Sequence, residues 1–276
     1  MYKFLTLLIL IIFINSSCSK KDLNTPKLEK ASIDEQMTKS YNEGLEALNR
    51  GDPFVAANKF SEAEILYPQS IWAPRSALMT AYSYYEASLY QDTIDELNRY
   101  LKTYPFHDRK NYAYYLMGLS YYEQIVDEKK DLNPIIKSKE YFQLVAKDYP
   151  NSEFAVDAEY KLELIQEILA SKEMYLGRYY VEREKWIPAI NRFKLILEKY
   201  DTTIFVEEAL HRLVEIHYKL GLEVESKKYA QLLGYNYESS VWYEKTYKIF
   251  NKNYNKIKKP KKEKTSILEK FKSLLD

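Results

Sequence analysis

Small residues, aromatics and prolines recur along this chain at the offsets of a 34-residue pair of helices, and that recurrence restricts the fold more than any other feature. In such a pair the helices touch where position 8 of the first meets position 20 of the second. A side chain much larger than alanine at either place forces them apart. Gly44, Ala47, Ala56, Phe60, Ala63 and Pro68 stand in register with this template. A second set follows with Ala81, Tyr84, Thr93, Leu97, Tyr100 and Pro105. A third, with Gly118, Ser138, Phe142, Val145 and Pro150, has an insert at about Asp127 to Pro134 between its helices. The fourth has Gly177, Tyr180, Ala189 and Phe193 but puts Asp201 where proline would end the second helix. The fifth has Val214, His217, Ser226, Ala230 and Leu233. Gly51 and Gly221 share one template position, the turn between paired helices, so five of the six glycines belong to one pattern.

These are tetratricopeptide repeats, and they predict an all-α solenoid of about five helix hairpins. The array is not uniform. Its position-20 residues, Ala56, Thr93, Ser138, Ala189 and Ser226, lie 37, 45, 51 and 37 apart. The segment Asn151 to Glu184 has no proline and one glycine, and its apolar residues Phe154, Ala158, Leu162, Ile165 and Leu169 recur at three or four. That spacing predicts a long helix joining an N-terminal three-repeat half to a C-terminal two-repeat half.

The start of the chain sets a different constraint. Lys3, an apolar run from Phe4 to Ile14, and Asn15, Ser16 and Ser17 precede Cys18, the only cysteine. A run of about a dozen apolar residues is shorter than the roughly 20 of a membrane-spanning helix and suits a signal-peptide core. Residues 1–17 are therefore expected to be removed and Cys18 to carry acyl chains that anchor the protein in outer-membrane lipid, with Ser19 next to it giving no retention signal for the inner membrane. Expected boundaries follow: a lipidated linker at 18–34, N-terminal repeats at 35–152, the long helix and C-terminal repeats at 153–250, and a basic tail at 251–276. In that tail Ile267, Leu268, Phe271, Leu274 and Leu275 share one face of a short predicted helix.

Groove positions 2, 5, 9 and 12 of the first helices map to Arg75, Leu78, Tyr82 and Tyr85 in the second repeat, and to Tyr112, Tyr115, Leu119 and Tyr122 in the third. Tyrosine offers a rigid apolar face and a hydroxyl, which suits extended peptide at low entropic cost. For a single tyrosine such as Tyr84, Tyr114 or Tyr121, core packing between helices is the simpler account. The set at groove positions points to binding. A net charge of +1 gives no overall bias toward nucleic acid. No phosphate loop, GxSxG elbow or HExxH helix occurs, and His211 and His217 are six apart, off the spacing that stacks two metal ligands on one helix face. The sequence predicts no catalysis, no metal and no cofactor, with His107, His211 and His217 structural.

The stretches RYLKTYPFHDRKNYAYYLMGLSYY, KDYPNSEFAVDA and YYVEREKWIPAINRF, with the lipobox, the insert and the closing LGYNYESSVWYEKTYK, resemble the BamD family of outer-membrane assembly lipoproteins from about Tyr41 to Ile249. The resemblance implies N-terminal repeats that receive unfolded outer-membrane β-barrel proteins. It also implies C-terminal repeats that dock the periplasmic domains of BamA, with other lipoproteins of the complex as further partners. By position it gives Arg192, with Trp186 near it, to BamA contact. Asn111 stands where many members have aspartate. From the repeats alone, other tetratricopeptide lipoprotein roles, in pilus secretin assembly or cell-wall division, stay open, as does an enzyme with an unrecognised site.

Overall fold

A computed structural model describes residues 32–126 and 131–251, which form eleven helices. They are α1 (Ile33–Asn49), α2 (Pro53–Leu66), α3 (Ala73–Glu86), α4 (Tyr90–Thr103), α5 (Lys110–Tyr122), α6 (Asn133–Asp148), α7 (Ala155–Glu182), α8 (Trp186–Lys199), α9 (Val206–Lys219), α10 (Glu223–Tyr237) and α11 (Val241–Phe250). The first ten pair as five hairpins in chain order, and each hairpin packs on the next. Cys18, the signal and linker segments, and the basic tail with its Ile267, Leu268, Phe271, Leu274 and Leu275 face lie outside the described residues.

Local chemistry sets the helix starts. Ser32 caps α1 reciprocally with Glu35: the Ser32 hydroxyl accepts from the Glu35 amide at 3.2 Å and the Glu35 carboxylate accepts from the Ser32 amide at 2.8 Å. Prolines at the first two positions open α2, α3 and α6, where a missing N–H costs nothing. One of them corrects the expected insert. Pro134 belongs to the first turn of α6, so the connection ends at Leu132. Between hairpins the chain repeats one turn. Tyr67, Tyr104, Tyr149 and Tyr200 each end a helix by leaving the helical region, with ψ at 72°, 58°, 51° and 38°, and the amides of Ser70, His107, Ser152 and Thr203 each bond back to that tyrosine's carbonyl. Prolines follow the first three tyrosines and disfavour continued helix there. At Asp201 the turn forms without one.

Within the hairpins the decisive contact is a phenylalanine ring lying on a bare glycine. A methyl group on Gly44 would lie 2.8 Å from the Phe60 ring, and one on Gly118 would lie 2.8 Å from Phe142. Phe193 approaches Gly177 closer still. Phe60, Phe142 and Phe193 are all fully buried, each contributing roughly 1.5–3 kcal/mol of transfer free energy. Position 8 thus meets position 24, and the sizes are reciprocal. The second repeat has alanine and leucine there, Ala81 and Leu97, both in one core cluster. Position 20 meets position 8 through hydrogen bonds: Ser138 donates to the Gly118 carbonyl at 3.0 Å and Ser226 to that of Val214 at 2.9 Å.

Four hairpins turn on a single left-handed residue: Gly51 (φ 80°), Ser88 (φ 58°), Glu184 (φ 54°) and Gly221 (φ 76°). For Ser88 and Glu184 that backbone costs roughly 1–2 kcal/mol each. The long helix is Ala155–Glu182, 28 residues and about 42 Å, starting four residues later than the segment that predicted it. Its first half supplies Ala158 and Ile165 to the core of the third hairpin, and its second half supplies Met174 to the core of the last two. Its C-terminal half is also the first helix of the fourth hairpin. Gly177→Ala should lower stability to urea by about 1–3 kcal/mol. Adding Phe193→Leu, the pairing of the second hairpin, should recover part of the loss; strictly additive losses would show that ring and methyl do not compete for one space.

Candidate interaction surface

The tyrosine positions of α3 and α5 converge with the start of α7. Tyr112 and Tyr115 hold Phe154 between them, with ring centroids 5.2 Å and 5.0 Å away, the second pair stacked. The Tyr115 hydroxyl donates to Asp157 at 2.6 Å, and the Lys161 ammonium sits 4.8 Å above the Tyr122 ring. Phe154, Asp157 and Lys161 share one face of α7 by their spacing of three and four. The repeat template did not reach them, because this part of α7 precedes the fourth repeat. Tyr82 and Tyr85 pack with Tyr112 and Leu119 on the core of the second hairpin, and Tyr85 meets Tyr90 at 5.7 Å. Leu78 is buried beneath them.

Tyr82, Tyr85, Tyr112, Tyr115 and Tyr122 are half-buried, with rings fixed by packing. Burial is the largest cause raising each phenol above its ordinary pKa. Glu86 adds to it at Tyr82, Glu123 at Tyr122 and Asp157 at Tyr115, while at Tyr112 neighbouring Tyr82 adds. Tyr85, near Glu123, is pushed up to about 12. The wall is therefore neutral, aromatic and edged by carboxylates.

Arg75, three residues before Leu78 on α3, makes contacts of its own. Its guanidinium stacks on Trp72 at 5.1 Å and lines a small cleft of about 220 Å³ with Ile71, His107, Asp108 and Arg109. Tyr114 and Tyr121 turn toward α6 and stack on Tyr141 at 6.4 Å and 5.8 Å, a packing role between helices. Asn111 accepts from the Tyr112 amide at 2.8 Å in the first turn of α5.

In the C-terminal half Arg192 and Trp186 face different neighbours. Arg192 donates to Glu173 of α7 at 2.9 Å while its side chain stays 38% exposed. Trp186 packs under the Lys219 ammonium at 4.5 Å and lines a cleft of about 280 Å³ with Val181, Arg212 and Ile216. Template groove positions in α7 and α9 carry charges that pair with one another. Arg178 donates to the buried Glu208 carboxylate at 2.9 Å, Arg212 joins it at 3.2 Å, and Arg212 also donates to Glu215 at 2.8 Å. Each histidine has a protein partner: His107 accepts from Tyr100 at 2.7 Å, His217 donates to the Leu213 carbonyl at 2.7 Å, and His211 meets Thr246. Among the described residues no cluster of histidine, cysteine and carboxylate groups could hold a metal, and no helix is long and apolar enough to cross a membrane.

The neutral tyrosines make an alkaline signature. Their raised folded pKa values mean that their contribution is complete below pH 10 and declines as the unfolded chain loses phenol protons that the folded chain keeps. Stability should fall from pH 10 upward, with Tyr85 losing its proton at about 12. An ultraviolet absorbance titration should show a late-titrating group of tyrosines; a single transition at the ordinary phenol value would contradict this.

Comparison with known proteins matches residues 33–232 to a family described as outer membrane lipoprotein, YfiO. The outer membrane protein assembly factor BamD of Rickettsia prowazekii (strain Madrid E) is 38% identical over 253 residues, covering 91% of this chain and 98% of that protein. BamD of Caulobacter vibrioides is 38% identical over 213 residues, covering 77% and 70%. BamD of Neisseria gonorrhoeae is 31% identical over 196 residues, covering 67% and 73%.

Proposed function

The chain belongs to the BamD family of outer-membrane lipoproteins, assembly factors and not enzymes, and from that premise we propose that its tyrosine wall receives unfolded outer-membrane β-barrel proteins while its C-terminal half docks the periplasmic domains of BamA. The observation that carries the first part is the continuous aromatic surface from Tyr82 through Tyr112 and Tyr115 to Phe154. An unfolded chain that lies against it orders few protein side chains, because the rings are already held by neighbours. The hydroxyls and the carboxylate rim offer partners to the main-chain N–H groups of an extended segment.

For the second part the supporting feature is Arg192. One hydrogen bond to Glu173 orients its guanidinium while leaving the side chain partly open to solvent, so that a carboxylate on BamA can reach it. Trp186, in its own cleft, gives a separate apolar anchor. Cys18 carries the acyl anchor at the outer membrane, and other lipoproteins complete the assembly.

Anisotropy of a labelled peptide copying the last strand of an outer-membrane barrel tests the wall. Tyr82→Ala and Tyr112→Ala should each weaken binding about tenfold; unchanged affinity in both would overturn this reading. Arg192→Glu should reduce capture of BamA periplasmic domains with peptide affinity and circular dichroism unchanged. Wild-type capture would remove Arg192 from the contact.

A further inference from the structure

The first helix of each hairpin rests on the second helix of the hairpin before it: α3 on α2, α5 on α4, α7 on α6 and α9 on α8. The last helix departs from this order. α11 packs chiefly on α9, the preceding first helix, and less on α10. The contact is made by a stripe at four-residue spacing, Trp242, Thr246 and Phe250, which lies on one helix face. The Trp242 ring lies 5.2 Å from the His211 ring, with the Arg212 guanidinium 5.6 Å from its centre. The Thr246 hydroxyl is 2.7 Å from His211 Nδ1. Phe250 meets Tyr218 edge-on at 5.5 Å. His211 and Tyr218 occupy the template positions that face the groove, equivalent to Tyr115 and Tyr122 in α5.

Two further details show a fitted contact. Thr246 is 1% exposed and His211 3%, so a buried polar pair sits between two aromatic contacts, with His211 Nδ1 on Thr246 and its Nε2 3.4 Å from Glu215. On the adjacent face Tyr243 lies against Gly234 of α10, where a methyl group would come within 2.8 Å of its ring. The sixth glycine, outside the repeat template, thus makes room for α11. Ser240 caps the helix by accepting from the Tyr243 amide at 3.0 Å.

We propose that the groove face of α9 is a helix-accepting site with α11 as its tethered occupant, specific for an aromatic, small hydroxyl and aromatic stripe at four-residue spacing. Extended chain is then received only along α3, α5 and the start of α7, because α11 fills the continuation over α9. This inference goes beyond the proposed function and needs no substrate or BamA for its test.

In the full-length protein, Thr246→Glu puts a carboxylate into the buried contact, and the probe is a labelled synthetic peptide of residues 239–251 of this chain. Hydrogen exchange across 241–250 should accelerate by about tenfold or more, with α7 unchanged, and the variant should bind the peptide at least about tenfold more tightly than wild type. Continued protection of α11, or its release with no gain in peptide binding, would overturn the proposal. If Thr246→Glu loses overall helicity, Thr246→Val decides by the same two readouts, since it keeps the shape and removes only the hydroxyl.

Discussion

The fit of a phenylalanine ring onto a glycine is what lets two helices of a hairpin approach closely enough to exclude water. Gly44 and Phe60, Gly118 and Phe142, and Gly177 and Phe193 repeat it, and the second hairpin has alanine for the glycine and the smaller leucine for the ring, Ala81 and Leu97 in one cluster. Everything else is placed by this joint. The serine hydroxyls of Ser138 and Ser226 find the opposite carbonyls only at that separation. Tyrosines three and four residues from the glycine are then turned outward to the groove or sideways to the next hairpin. A change in the joint would therefore move the tyrosine wall without touching any residue in it.

The two halves of the molecule use the same scaffold for opposite ends. In the N-terminal half the groove positions hold neutral tyrosines whose rings remain accessible. In the C-terminal half the equivalent positions are self-satisfied: Arg178, Glu208 and Glu215 are tied together with the neighbouring Arg212, and His211 and Tyr218 are covered by α11. Desolvating such a charge network for a partner would cost more than it returns. Arg192 pairs with Glu173 outside this network, and Trp186 borders it in a cleft shared with Arg212 and Glu215.

Much of this was legible in the amino-acid pattern because glycine, alanine and proline report backbone geometry directly. Gly51 and Gly221 marked turns that the structure forms with positive φ. Ser88 and Glu184 adopt the same backbone and gave no sign of it, since the paired helices on either side impose the strain. The wall was predicted from template offsets, but its Phe154, Asp157 and Lys161 edge lies in a stretch with no repeat register. Arg75 shares a template position with Tyr112 and stacks on Trp72, a ring that lies outside the groove positions of the template. Glu173 as the partner of Arg192, and the seat of α11 on α9, depend on which helices meet in space. Nothing local in sequence encodes them.

One consequence follows from the unbroken course of α7. Phe154, Asp157 and Lys161 mark the side of this rod that serves the tyrosine wall, and Arg178 marks the side that faces α9. At 3.6 residues per turn these markers are out of phase by roughly a quarter of a revolution. The marked faces of the two halves are accordingly aimed along different azimuths, and inserting a single residue between Ile165 and Met174 would re-aim one against the other by about 100°. The length of this helix works as an angular setting as much as a spacer.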